Sequence, residues 1–184
     1  MGLNSKTIQE CKKGRRRAIR VFYEDSASWM LGVAMRYVSD RNEAMSLVNL
    51  SLLTALEKLK EFDENRIEKI EAWLKTILVR KTIDYMRKEK LINEREIQNE
   101  MAEAETPYHD GESNTRKEEL RGMINKLNPS SKAVFNLYAI EGYKHAEIAE
   151  MLGISIGTSK WHLSDARKKL QSMLTVLDQE KIAK

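Results

Sequence analysis

The sequence has a single cysteine, Cys11, and only two prolines in 184 residues. One thiol cannot close an internal disulfide, so the chain is not a cross-linked secreted scaffold and suits a reducing compartment. Glycine is also scarce, with eight residues, and β-branched runs are few. Alanine, leucine, lysine and glutamate dominate instead, which predicts an almost wholly helical fold. No apolar run approaches the roughly 20 residues of a membrane-spanning helix, and the first residues lack a signal-peptide core. The expectation is a soluble, cytoplasmic protein. A phosphate loop, a nucleophile–base pair and paired carboxylates are all missing from the sequence pattern. His109, His145 and His162 are scattered, with no cysteine or carboxylate at ligand spacing. No enzyme, no cofactor and no metal site are therefore expected.

What the chain does have is charge, unevenly placed. The net charge is +4, which mildly favours an anionic partner. Residues 1–93 hold 19 basic and 13 acidic residues, residues 94–115 hold one and seven, and residues 116–184 hold 12 and eight. The middle stretch also contains Pro107, Gly111 and small polar residues, with too little apolar surface to fold alone. The expected organisation is all-α: a helical domain over 1–92, a flexible acidic linker over 93–115, and a second helical domain over 116–184.

Residues 143–170 carry the sharpest pattern, that of a helix-turn-helix. Ala146, Ile148, Ala149 and Leu152 form an apolar face at helical spacing. Gly153 accepts the left-handed backbone angles of a tight exit, Ile154 plugs the gap, and Ser155 caps the next helix. Ser159, Leu163, Ala166 and Leu170 then share one face, leaving a polar, basic one opposite. A short capped helix with such a face fits a major groove. Upstream, residues 116–128 predict a helix, broken by Asn128-Pro129-Ser130-Ser131. Ser130 or Ser131 is expected to cap the helix Lys132–Ala139.

In the N-terminal half, Ile19, Phe22, Tyr23 and Ala27 open an amphipathic helix that continues, apolar nearly all round, through Trp29–Val38. Residues 39–42 form a break with N-cap character. A helix over Glu43–Phe62 turns Ala44, Leu47, Val48, Leu50, Leu52, Leu56 and Leu59 toward its neighbours. A further helix from about Ile67 places Trp73, Leu74, Ile77, Leu78 and Tyr85 inward, and Lys75, Arg80, Lys81, Arg87 and Lys88 outward as a basic stripe. Trp29 and Trp73 sit at apolar spacing and are expected in the core, whereas Trp161 lies off the apolar face of its helix.

Taken in order, "RYVSDRNEA", "AWLKTI", "IDYMRK", then "LNPSSKAVFNLYAIEGY", "EIAEMLGIS", "GTSK" and "L-x-x-AR-x-x-L" resemble the extracytoplasmic-function sigma factors of bacterial RNA polymerase, over residues 15–173 or so. The resemblance implies an alternative sigma factor: a subunit that binds core RNA polymerase, recognises and melts promoter DNA, and is not an enzyme. It implies partners in the polymerase clamp and flap, in promoter DNA and in an anti-sigma factor. Carried over by position, Asn42, Glu43, Leu47, Val48 and Asn49 face the polymerase clamp, and the loop Lys60–Glu71 receives an extruded base. Lys75, Arg80, Lys81, Asp84, Tyr85, Arg87 and Lys88 lie along the minus-ten element. Lys144, Thr158, Lys160, Trp161, His162, Ser164, Asp165, Arg167 and Lys168 lie on the minus-thirty-five element.

The chain departs from the family pattern at Met45, Ser46 and Asn49 on the clamp helix, at Arg80 on the minus-ten helix, and at Trp161 and Asp165 on the recognition helix. Asp165 repels phosphate but can accept from a cytosine amino group. The residues leave a second reading open: a helix-turn-helix regulator that binds DNA without the polymerase.

Overall fold

The computed structural model describes residues 3–96 and 115–182. Most of the expected acidic linker, and His109 with it, lies outside the described residues. The chain divides into two compact units with the boundary at residue 104.

Among the described residues, four α-helices build the N-terminal unit. α1 (Ser5–Lys12) is started by Asn4, whose side chain accepts from the Thr7 N–H at 2.9 Å, and it buries Ile8 and Cys11. α2 (Arg16–Ala34) buries Phe22, Ser26 and Met30 at steps of four. It ends at Ala34, short of the expected Val38, although Tyr37 and Val38 remain in the core. α3 (Arg41–Lys58) is capped by Asp40, which accepts from the Glu43 N–H at 2.8 Å, as the break at residues 39–42 requires. α4 (Ile70–Glu96) carries Leu74, Leu78, Val79 and Ile83 into the core. It runs past residue 93, where the linker was expected to begin.

α2, α3 and α4 pack on one another, and α1 packs on α2. Ser51 and Thr82 carry hydroxyls into this core and bond them within their own helices. Ser51 Oγ donates to the Leu47 carbonyl at 2.6 Å and Thr82 Oγ1 to the Leu78 carbonyl at 2.9 Å. Each hydroxyl is thus satisfied one turn back along its own helix, which removes the cost of burying it. Two 3-10 turns, Leu59–Glu61 and Glu64–Lys69, join α3 to α4.

The C-terminal unit packs α5 (Thr115–Asn125), α6 (Pro129–Phe135) and α7 (His145–Leu152) against the long α8 (Ile156–Ile182). Met123, Leu127, Ala166 and Leu170 form its apolar centre. Asn128, rather than Ser130 or Ser131, caps α6: its side-chain oxygen accepts from the Ser131 N–H at 2.8 Å, and Pro129 occupies the first turn. Ser131 is freed for a different role. One turn of π-helix, Asn136–Ile140, continues α6.

Candidate nucleic-acid interface

The turn between α7 and α8 forms as its residues dictate. Gly153 ends α7 in the left-handed region, at φ 65° and ψ 37°, where a side chain is strained. Ser155 Oγ accepts from the Thr158 N–H at 2.9 Å and caps α8. Ser159, Leu163, Ala166 and Leu170 are all buried, so the predicted inner face of α8 is the observed one.

The outer side of α8 divides into two rows at about 100° per residue. Lys160, Trp161, Ser164, Arg167 and Lys168 are exposed, and Trp161 keeps 61% of its surface in solvent. Thr158, His162 and Asp165 form the neighbouring, half-buried row, of which His162 and Asp165 reach α6. Asp165 accepts from Ser131 Oγ at 2.9 Å, from Asn128 Nδ2 at 3.2 Å and from Lys169 Nζ at 3.2 Å. The Ser131 hydrogen bond, helped by Lys169 and Asn128, holds the Asp165 carboxyl below the usual carboxylate range. Ser131 Oγ also lies 3.0 Å from His162 Nδ1. The hydroxyl has one proton and gives it to Asp165, so His162 Nδ1 is the donor in that second bond.

Asp165 and His162 are thus tied to α6 through Ser131, a contact that the sequence pattern did not foresee. The sequence hint was Ser131, which is left over once Asn128 takes the cap. A further cluster was not foreseen. Tyr138 stacks on His145 at 4.6 Å, His145 Nδ1 is hydrogen-bonded to Ser159 Oγ at 2.9 Å, and the Arg167 guanidinium lies 5.7 Å from the centre of the Tyr138 ring. Arg167 is thereby held by a cation–π contact. Lys144 is exposed at the start of α7, where its backbone N–H donates to the Glu147 carboxylate at 2.7 Å.

In the N-terminal unit, Arg80, Asp84, Arg87 and Lys88 are exposed along α4, with Lys81 half-buried beside them. Lys75 departs from the expected outward stripe, and Tyr85 is half-buried on the side where its spacing set it. Helical spacing turns both toward the side that carries Leu74 and Leu78, and both are half-buried. The exposed row leads back to Thr76 and Trp73 and into a recess of about 510 Å³. Lys58, Phe62, Asp63, Arg66 and Trp73 line it, together with Thr76. Trp73 is therefore not a core residue: it is half-buried in the wall, with its ring 5.1 Å from that of Phe62 at 45°. Trp29 is half-buried as well.

α3 also corrects the sequence reading. Leu47 and Val48 are 5% and 0% exposed, so neither can form a docking surface. The exposed face of α3 is Asn42, Ser46, Asn49, Leu50 and Leu53, with the two leucines 52% and 55% exposed. Leu50, expected to face neighbours, points to solvent. Tyr23 of α2 joins this face by donating to Asn49 Oδ1 at 2.8 Å.

These two units, each with a basic outer face, are those of a sigma factor. Residues 22–92 match the family description "Sigma-70 region 2" and residues 117–170 match "Sigma-70, region 4". The chain is 30% identical over 146 residues to RNA polymerase sigma factor SigV of Bacillus subtilis, covering 79% of this chain and 84% of that protein. It is 25% identical to the extracytoplasmic-function sigma factor SigK of Mycobacterium tuberculosis, covering 86% and 87%. The fold is that of the sigma factor RpoE of Bartonella quintana, solved with the anti-sigma factor NepR, at TM-score 0.53 and 24% identity over 87% of this chain and 98% of that one. CnrH, solved with the cytosolic domain of CnrY, gives 0.50 and 22%, over 94% and 97%. The chain belongs to the extracytoplasmic-function sigma factors, the alternative subunits that direct RNA polymerase to initiate transcription. A regulator independent of the polymerase is not favoured, because the matches cover both units.

Proposed function

We propose that the N-terminal unit docks on the clamp of core RNA polymerase through the exposed face of α3 and opens the minus-ten element, while α8 reads the minus-thirty-five element as duplex. The observation that carries this reading is the continuity on α4 between an aromatic-walled recess and an exposed cationic row. Melting needs a place for an unstacked base and a cationic track for the strand that bears it. Phe62 and Trp73 offer the base a stacking surface; Arg80, Arg87 and Lys88 follow the phosphates.

On α8 the readers are Lys160, Trp161, Ser164 and Arg167, with Lys144 and Lys168 on phosphates. The polymerase flap and an anti-sigma factor are further partners of the same reading, and the cytoplasm is its setting. No residue is assigned a catalytic role. Among the described residues no helix is long and apolar enough to cross a membrane.

The test is permanganate footprinting of open complexes formed by core polymerase with this chain. Trp73→Ala and Arg80→Ala should lower thymine reactivity at the minus-ten element while leaving upstream binding intact. Wild-type reactivity in both variants removes the recess from the mechanism.

A further inference from the structure

The residues that match region 2 begin at 22. α1 lies before them, yet it packs against both 3-10 turns that shape the recess as well as against α2. Ile8 and Cys11 bury its inner side. At its last residue Lys12 Nζ donates to the backbone carbonyl of Phe62 at 2.6 Å. Phe62 lies in extended backbone between the two turns, at φ −76° and ψ 129°, and its N–H donates to the Leu59 carbonyl at 3.1 Å. Its peptide groups are thus fixed from two directions, once by the preceding turn and once by α1. The Phe62 ring is the recess wall that meets Trp73.

We propose that α1 is the holder of the base-capture loop and that Lys12 is its positioning residue, setting the Phe62 ring opposite Trp73 for an incoming unstacked base. The inference rests on the reading of the recess as a base site. Loop segments joined by short 3-10 turns have few internal hydrogen bonds to fix them. An ammonium–carbonyl bond on a half-buried stem supplies that constraint, and hydrogen bonds to charged groups are among the stronger ones. A preorganised wall lowers the ordering cost when the base arrives.

The test uses holoenzyme on a promoter that the wild-type chain opens, with 2-aminopurine at the extruded position to report unstacking by fluorescence. Lys12→Met keeps the aliphatic stem and removes the donor. It should slow opening roughly tenfold and flatten the preference among the four bases at that position, while binding to core polymerase and to upstream duplex stays at wild-type level. Lys12→Arg, which keeps a cation within reach of the carbonyl, should restore most of the rate and the base preference. Trp73→Ala is the parallel control on the recess itself. Slow opening in Trp73→Ala with wild-type opening in Lys12→Met overturns the role of α1 and leaves the recess reading standing. Normal opening in Trp73→Ala overturns the recess reading. An equal loss of polymerase binding in Lys12→Met also overturns the positioning role, because the defect then belongs to the whole unit.

Discussion

Ser131 on α6 donates its hydroxyl proton to Asp165 on α8 at 2.9 Å, and this bond ties one row of the recognition helix to its neighbour. The row beside it, Lys160, Trp161, Ser164, Arg167 and Lys168, is exposed. The tie also gives the C-terminal unit a pH dependence. The Asp165 carboxyl is held low chiefly by Ser131, so its contribution is complete above the ordinary carboxylate range and fades as pH falls through the lowered value. Ser131→Ala should cost about 1 kcal/mol at neutral pH. Asp165→Asn should flatten part of the loss of stability between neutral pH and about pH 3. Urea unfolding of the C-terminal unit at the two pH values checks both, and an unaltered acid response in Asp165→Asn contradicts the tie.

α3 offers a clean contrast between neighbours in sequence. Leu50→Asp and Leu53→Asp should abolish co-purification with core polymerase while leaving the thermal melt within about 1 kcal/mol of wild type, because surface changes away from packed sites cost little. Leu47→Asp should instead unfold the N-terminal unit, since it places a charge in the core without a partner. Stable Leu50→Asp and Leu53→Asp proteins that still co-purify would show that the polymerase docks elsewhere.

Arg167 lies over the Tyr138 ring, 5.7 Å from its centre. Replacing Tyr138 by leucine removes the ring face, and a cation–π contact at an exposed site is worth about 0.5–1 kcal/mol. Binding of holoenzyme to upstream-element duplex should weaken roughly two- to fivefold. Tyr138→Phe keeps the ring and should bind as wild type. A titration showing equal loss in both variants would assign the effect to the hydroxyl instead.

Trp161 is the largest exposed apolar group on the outer row. Trp161→Ala should change stability by less than about 0.5 kcal/mol and reduce discrimination between upstream elements that differ at one base pair. A marked fall in melting temperature would make Trp161 a packing residue.

Helix order and the helix-turn-helix were legible because they depend on local signals. Asp40, Gly153 and Ser155 act within three residues of their own positions, and the Ser159–Leu163–Ala166–Leu170 face follows from helical period alone. α1 was not anticipated. It is short, and its apolar residues Ile8 and Cys11 are too few to show a period. The misplaced residues have other causes. Leu50 and Trp73 lie on helices with apolar residues on more than one side, so periodicity does not say which side meets a neighbour; Leu47 and Val48 were set inward by their spacing and given to the polymerase only by the resemblance. The ties of Asp165 and His162 to α6 were not legible because their partner Ser131 stands more than thirty residues away.

The proposed role, direction of core RNA polymerase to promoters through two separate DNA elements, is open to one direct test. The most direct measurement is run-off transcription with purified core polymerase on a pool of promoter fragments, with and without the chain. New start sites should appear only when the chain is added, and they should share two spaced upstream elements. Trp73→Ala should suppress the transcripts, and Lys160→Ala should blur selection of the upstream element. No new transcripts, together with direct binding of the free chain to a palindromic duplex, would contradict it.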